Sequence, residues 1–165
     1  MAARNSRKLS VTTPSDREIV LTRTFDAPRA AVFEAWTKPE HVRKWYGCAV
    51  FDFVVCDIDF RVGGRYRFTM RTPEGVEHTM AGVYREIVAP KRIVCTEHYE
   101  THGFRREDAI VTVVFDEQDG TTTLTSTIVH PSREQRDGHL NSGMEHGAGE
   151  TFDRLAEHLA TMAVV

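Results

Sequence analysis

At 165 residues, with 41% hydrophobic and 27% charged residues, the chain has the size and composition of one globular domain that buries roughly two-thirds of its unfolded surface. A formal net charge of -3 argues against nucleic acid as a partner, and no apolar run resembles a membrane span. Cys48, Cys56 and Cys95 are odd in number and lack the spacing of a metal or redox pair, so they read as reduced thiols of a cytoplasmic protein.

Met1 to Ser15 carries Arg4, Arg7 and Lys8 with no apolar run behind them, so no secretory signal is expected. Residues 1–15 are expected to form a flexible tail ahead of a single domain over residues 16–165. Glu18 to Phe25 alternates, with Ile19, Leu21, Arg23 and Phe25 on one side, and reads as a strand. Asp26 is placed to cap a helix whose apolar stripe is Val32, Phe33 and Trp36, and Pro28 suits its first turn. A second short helix begins at Pro39 with Thr37 as its cap, buries Val42, Trp45 and Tyr46, and stops at Gly47.

The chain then becomes almost all strand. Val50 to Asp57 is β-branched and aromatic, and Gly63-Gly64 marks a turn. Tyr66, Phe68 and Met70 alternate with Arg65, Arg67 and Thr69. After a turn at Pro73-Glu74-Gly75 come Glu77 to Ile87, with a bulge expected at Gly82, and Arg92 to Tyr99. Glu100 to Glu107 reads as a loop. Ala109 to Phe115 and Thr121 to Val129 form a hairpin around Asp119-Gly120, with Val111, Val113, Phe115, Leu124, Ser126 and Ile128 inward. Pro131 to Gly138 is charged and loop-like, and a helix of about 20 residues follows, striped by Met144, Ala148, Phe152, Leu155, Leu159 and Met162.

One strand, a helical pair, six strands and a final helix suit an α+β fold: a curved antiparallel sheet of six to seven strands gripping the C-terminal helix. A helix about 10 to 12 Å across does not fill the concave side of such a twisted sheet, so large side chains or a ligand must. The helical pair offers Trp36, Trp45 and Tyr46 to this space. The strands offer Phe53, Tyr66, Phe68, Met70, Met80, Tyr84 and Phe115, and the last helix Met144, Ala148 and Phe152. Apolar walls with a few phenol groups are the make-up of small-molecule pockets.

At FDAPRAAVFEAWTKPEHVRKWYG, DIDFRVGGRYRFTM, GVYREIVAPKRIVCTE and GMEHGAGETFDRLAEHLA the chain resembles the Activator of heat-shock-protein-90 ATPase homologue-like family. That family lies within the START-like, or SRPBCC, superfamily, which includes the birch-pollen-allergen type. The resemblance spans about residues 17 to 162 and implies the helix-grip fold. It also implies a hydrophobic small molecule held under the long helix. Similar sequences often carry tryptophan after the helical glycine where this chain has Gly147 and then Ala148, so the cavity is expected to reach Ala148.

Chemistry-bearing motifs are few. Eight histidines include no HExxH or HxH pattern, and His130, His139 and His146 are not spaced for one helical face, so they read as solvated or capping groups rather than metal ligands. No cofactor-binding glycine loop or nucleophile motif is present. Glu97 shares the inward face of Ile93 and Cys95, and a carboxyl facing an apolar hollow is a candidate general acid or base. Arg61, Arg65, Arg67, Arg71 and Arg85 fall mostly on the outer face by alternation. The favoured function is binding of a hydrophobic small molecule. The alternatives are a cavity enzyme of cyclase, dehydratase or hydrolase type using Glu97, Tyr66, Tyr84 or His130, and a chaperone-associated or homodimeric interaction protein.

Overall fold

The computed structural model describes residues 8–162. In chain order these form β1 (Ser10–Thr12), β2 (Glu18–Phe25), α1 (Arg29–Thr37), α2 (Pro39–Trp45), β3 (Asp52–Ile58), β4 (Arg65–Arg71), β5 (Glu77–Val88), β6 (Arg92–Thr101), β7 (Phe104–Arg105), β8 (Ala109–Gln118), β9 (Thr121–Val129), α3 (Arg133–Leu140) and α4 (Met144–Met162). All strands join one antiparallel sheet in the order β1-β2-β9-β8-β6-β5-β4-β3, with β7 paired to β6. The seven long strands expected from alternation are all present. The two extra strands are too short to carry a periodic signal.

Four local readings change. Within the expected tail, Ser10–Thr12 pairs with Val20, Leu21 and Thr22 as an edge strand, while residues 1–7 lie outside the described residues. The expected loop at 100–107 is instead a tight hairpin of β6 and β7. The charged stretch after Pro131 is helix α3, started by Ser132, whose hydroxyl accepts from the Gln135 N–H at 3.1 Å. Thr37 does not cap α2. Its hydroxyl donates to the Phe33 carbonyl at 2.8 Å, and the cap position is Lys38.

Helix α1 takes Pro28 as its cap residue, with no side-chain cap from that position. Its first exposed N–H, on Arg29, instead donates to the Glu117 carboxylate at 2.6 Å, so the β8–β9 hairpin closes the helix start. That hairpin turns through Asp119 (φ 53) and Gly120 (φ 77), the backbone a two-residue antiparallel turn requires. Its register sets Val111 opposite Ile128, Val113 opposite Ser126 and Phe115 opposite Leu124, all buried.

The bulge in β5 falls at Arg85, where Tyr84 pairs with Cys95 but Glu86 pairs with Val94. Gly82 instead marks a close approach. A Cβ there would stand 1.9 Å from the Thr96 carbonyl oxygen and 2.9 Å from the Tyr66 ring. The bare backbone lets Tyr66 lie across β5 and donate its hydroxyl to Thr96 O at 2.7 Å.

Helix α4 buries Phe152, Leu155 and Leu159 on the concave face of the sheet. Arg23, inward on β2, is held by Asp153 at 2.5 Å. Arg154 donates to the carbonyls of Gly47 at 2.7 Å and Lys44 at 3.1 Å, satisfying the end of α2, and Glu150 accepts from the Ala49 N–H at 3.0 Å. The helix therefore fixes the α2–β3 loop as well as capping the core. No helix among the described residues is long and apolar enough to cross a membrane.

Candidate functional site

Between the concave sheet and the first half of α4 lies a cavity of about 470 Å³. Strand alternation builds its floor: Tyr66, Phe68 and Met70 from β4, His78, Met80 and Tyr84 from β5, and Ile93, Cys95, Glu97 and Tyr99 from β6. Trp36, Trp45 and Tyr46 close one wall, and Met144, Ala148 and Phe152 form the roof. Exposed Ser142 and half-buried Cys48 and Phe51 mark where it reaches the surface.

Two of the expected lining rings stand elsewhere. Phe115 is 1% exposed and packs edge-on against Phe33 at 5.3 Å and Trp36 at 6.1 Å, inside the core. Phe53 lies behind the wall against Tyr46 and Phe68, with the Arg43 guanidinium over its ring at 5.8 Å. Trp36 lines the cavity by stacking on Phe152 at 6.0 Å, while the Trp45 indole N–H donates to the Ala35 carbonyl at 2.9 Å. The cavity reaches Ala148, as expected.

Polar groups gather at one end. Glu97 lines the cavity, and desolvation pushes its carboxyl up to about 7 even though the Arg106 guanidinium draws it down. Among the described residues neither the Glu97 carboxyl nor the Arg106 guanidinium has a side-chain hydrogen bond or ion pair. Arg106 is set by its backbone N–H to Tyr99 O at 2.8 Å and stacks its guanidinium over the Tyr99 ring at 5.3 Å. The Tyr99 hydroxyl is in turn bonded to His78 Nδ1.

His146 is exposed, as expected, but His130 is neither solvated nor a cap. His130 is 2% exposed, and its Nε2 lies 3.0 Å from Nδ1 of His139, which lines the cavity. Burial, with nearby Arg106, holds both rings below the usual histidine range, His130 at about 4 and His139 at about 3. Among the described residues His130 Nδ1 has no hydrogen-bond partner. An orphaned lone pair costs less than an orphaned N–H, so His130 donates through Nε2 and the hydrogen of His139 sits on its own Nε2. Burial also lifts the phenols of Tyr46, Tyr66 and Tyr84 above their ordinary range and the Cys95 thiol to about 12. Among the described residues no group of three or more His, Cys, Asp or Glu side chains could hold a metal ion.

Tyr99 and His78 extend alternations already visible at Glu97 and Met80, so pattern reasoning carried two residues further would have found them. Arg106 sits in an aperiodic polar stretch and has no such signal. The outward arginines form exposed pairs, Arg61 with Asp59, Arg67 with Glu100 and Arg71 with Glu77.

Residues 26–160 match the family model for Activator of Hsp90 ATPase homolog 1-like protein. The chain belongs to that family. Among solved structures, this Activator of Hsp90 ATPase homolog 1-like chain is similar to a Rhodobacter sphaeroides protein at 23% identity and a TM-score of 0.86, over 93% of this chain and 99% of the other. It is likewise similar to a Nitrosomonas europaea protein at 23% identity and 0.81, over 93% and 100%, and to a Mycobacterium smegmatis protein at 22% and 0.82, over 93% and 99%. At these identities the likeness establishes the helix-grip fold of the family. No curated protein matches the chain.

Proposed function

We propose that the protein binds a hydrophobic small molecule in the cavity between the sheet and α4. The carrying observation is the space itself: about 470 Å³ walled by aromatic rings and methionines lies within the ~300–1,000 Å³ typical of small-molecule sites. A sheet that needed only to be filled would have closed this volume with its own side chains, since protein interiors pack with few voids larger than a water molecule. Three thiols, two of them buried and none paired, fit a reducing cytoplasm. Native mass spectrometry of the protein purified from its own host tests the reading. A retained small-molecule mass released on denaturation is expected. An empty protein that also takes up none of a panel of apolar probes would overturn it.

A second reading, a cavity enzyme, is favoured by one group. Glu97, poised at about 7 against apolar walls, has the acidity of a general acid or base at neutral pH. Tyr66 and Tyr84 are too weakly acidic and His130 is sealed from the cavity, so Glu97 would carry that chemistry alone. A bell-shaped or sigmoidal pH-rate profile with a midpoint near this value, lost in Glu97→Gln, would favour catalysis over binding.

A further inference from the structure

The cavity is apolar along most of its length and charged at one end, and among the described residues neither charged side chain there has a hydrogen bond or ion pair to another side chain. Glu97 on β6 and Arg106 before β8 face the same space, close enough for each to perturb the other, yet no ion pair joins them. Both polar ends reach the cavity, so a bound group that bridges them can take the place of water on their free donors and acceptors.

The sign of that group follows from which charge can be shed. Arg106 keeps its proton at any physiological pH, whereas Glu97 can become neutral. Of the groups around this pair, Tyr46, Tyr66 and Cys95 stay protonated and His130 and His139 stay uncharged at neutral pH, while Tyr99 and His78 are hydrogen-bonded to each other. The roof above is Met144 and Ala148. With Glu97 protonated, this end of the cavity carries one net positive charge.

We propose that the ligand is an amphipath with a single carboxylate head, bound by the Arg106 guanidinium and accepting a hydrogen bond from protonated Glu97, with its apolar body along Phe68, Met80 and Met144. The proposal rests on the reading of the cavity as a small-molecule site and adds the chemistry of the head. A guanidinium and a carboxylate match in planar, two-bonded geometry, and whatever fraction of Glu97 is ionised takes up a proton from solution as the anion enters. No covalent step is involved.

Calorimetric titration of the whole protein with decanoate and naphthoate, each beside its primary amide, tests this. At pH 6 the acids are expected to bind at least about ten-fold more tightly than the amides, as a charge-assisted hydrogen bond in place of a neutral one allows. Repeating the titration in buffers of different ionisation enthalpy should read net proton uptake near neutral pH. The preference for acids should shrink by pH 8.5, vanish in Arg106→Gln and lose its pH dependence in Glu97→Gln. Proton uptake is measured on the unaltered protein, so a variant that misfolds leaves the test intact. Amides and acids binding equally, or acids binding without proton uptake, would overturn the carboxylate head while leaving the cavity reading in place. Failure of all four compounds to bind would overturn both.

Discussion

Glu97 and the His130–His139 pair pull the pH dependence of stability in opposite directions. The carboxyl of Glu97 is raised from 4.5 to about 7 in the folded state, so its contribution is fully present below pH 4.5 and is lost as pH rises through 7. The two imidazoles are lowered from 6.5, so their contribution is full above pH 6.5 and is lost as pH falls toward 4. Urea unfolding of the wild type should therefore give a stability that falls off below pH 6 and is held down above pH 7. Glu97→Gln removes only the alkaline penalty, and its stability relative to wild type should rise by on the order of 2 to 3 kcal/mol between pH 4.5 and pH 8. Parallel profiles for the two proteins would show that Glu97 is solvated. That this carboxyl faces inward was legible from the alternation Ile93, Cys95, Glu97. The nearby Arg106 was not, because only the turn through β7 brings the residue back over Tyr99.

Elements differ in how much a glycine matters to them. In β5, Gly82 stands where any side chain would strike the backbone of β6 and the ring of Tyr66. Gly82→Ala should cost roughly 3 kcal/mol or more, the upper end for overpacking, because a carbonyl oxygen in a paired strand cannot retreat. In α4, Gly149 is half-buried and a Cβ there would meet nothing within 4 Å, so Gly149→Ala should stabilise the helix by about 0.5 to 1 kcal/mol. Chemical denaturation midpoints check both, and similar effects of the two substitutions would contradict this account of β5. By sequence the bulge in β5 is expected at Gly82. The bulge lies at Arg85, a residue with no turn chemistry, because the register is decided by pairing with β6 rather than by local preference. Helix α3 escaped the reading for the opposite reason. It has no buried residue, so it shows no apolar stripe, and its Ser132 cap is its main local mark.

For the whole molecule the question is whether the cavity can be closed without harm to the fold. Ala148 stands in its roof, where a larger ring would project into the space beside Phe152. Ala148→Trp should weaken binding of apolar probes at least about ten-fold, equivalent to ~1.4 kcal/mol, without lowering the unfolding temperature. Probe binding unchanged by the added indole would show that the guest does not sit under α4. Arg23, Asp153 and Arg154 do not line the cavity, so the Arg23–Asp153 pair and the Arg154 clamp on α2 should hold the helix in place in the variant.

The sequence by itself determined the order of the elements, the inward faces of the long strands and the apolar stripe of α4, because period and burial are local consequences of a residue's neighbours along the chain. Those faces also placed most of the rings and methionines around the hollow. Tertiary structure alone decided that Phe115 is swallowed by the core and Phe53 lies behind the wall, that buried His130 bonds to His139, and that Arg106 comes near Glu97. Each of these depends on how far the sheet curls and which strands it brings side by side, and sheet curvature and long-range pairing leave no periodic trace in a single chain.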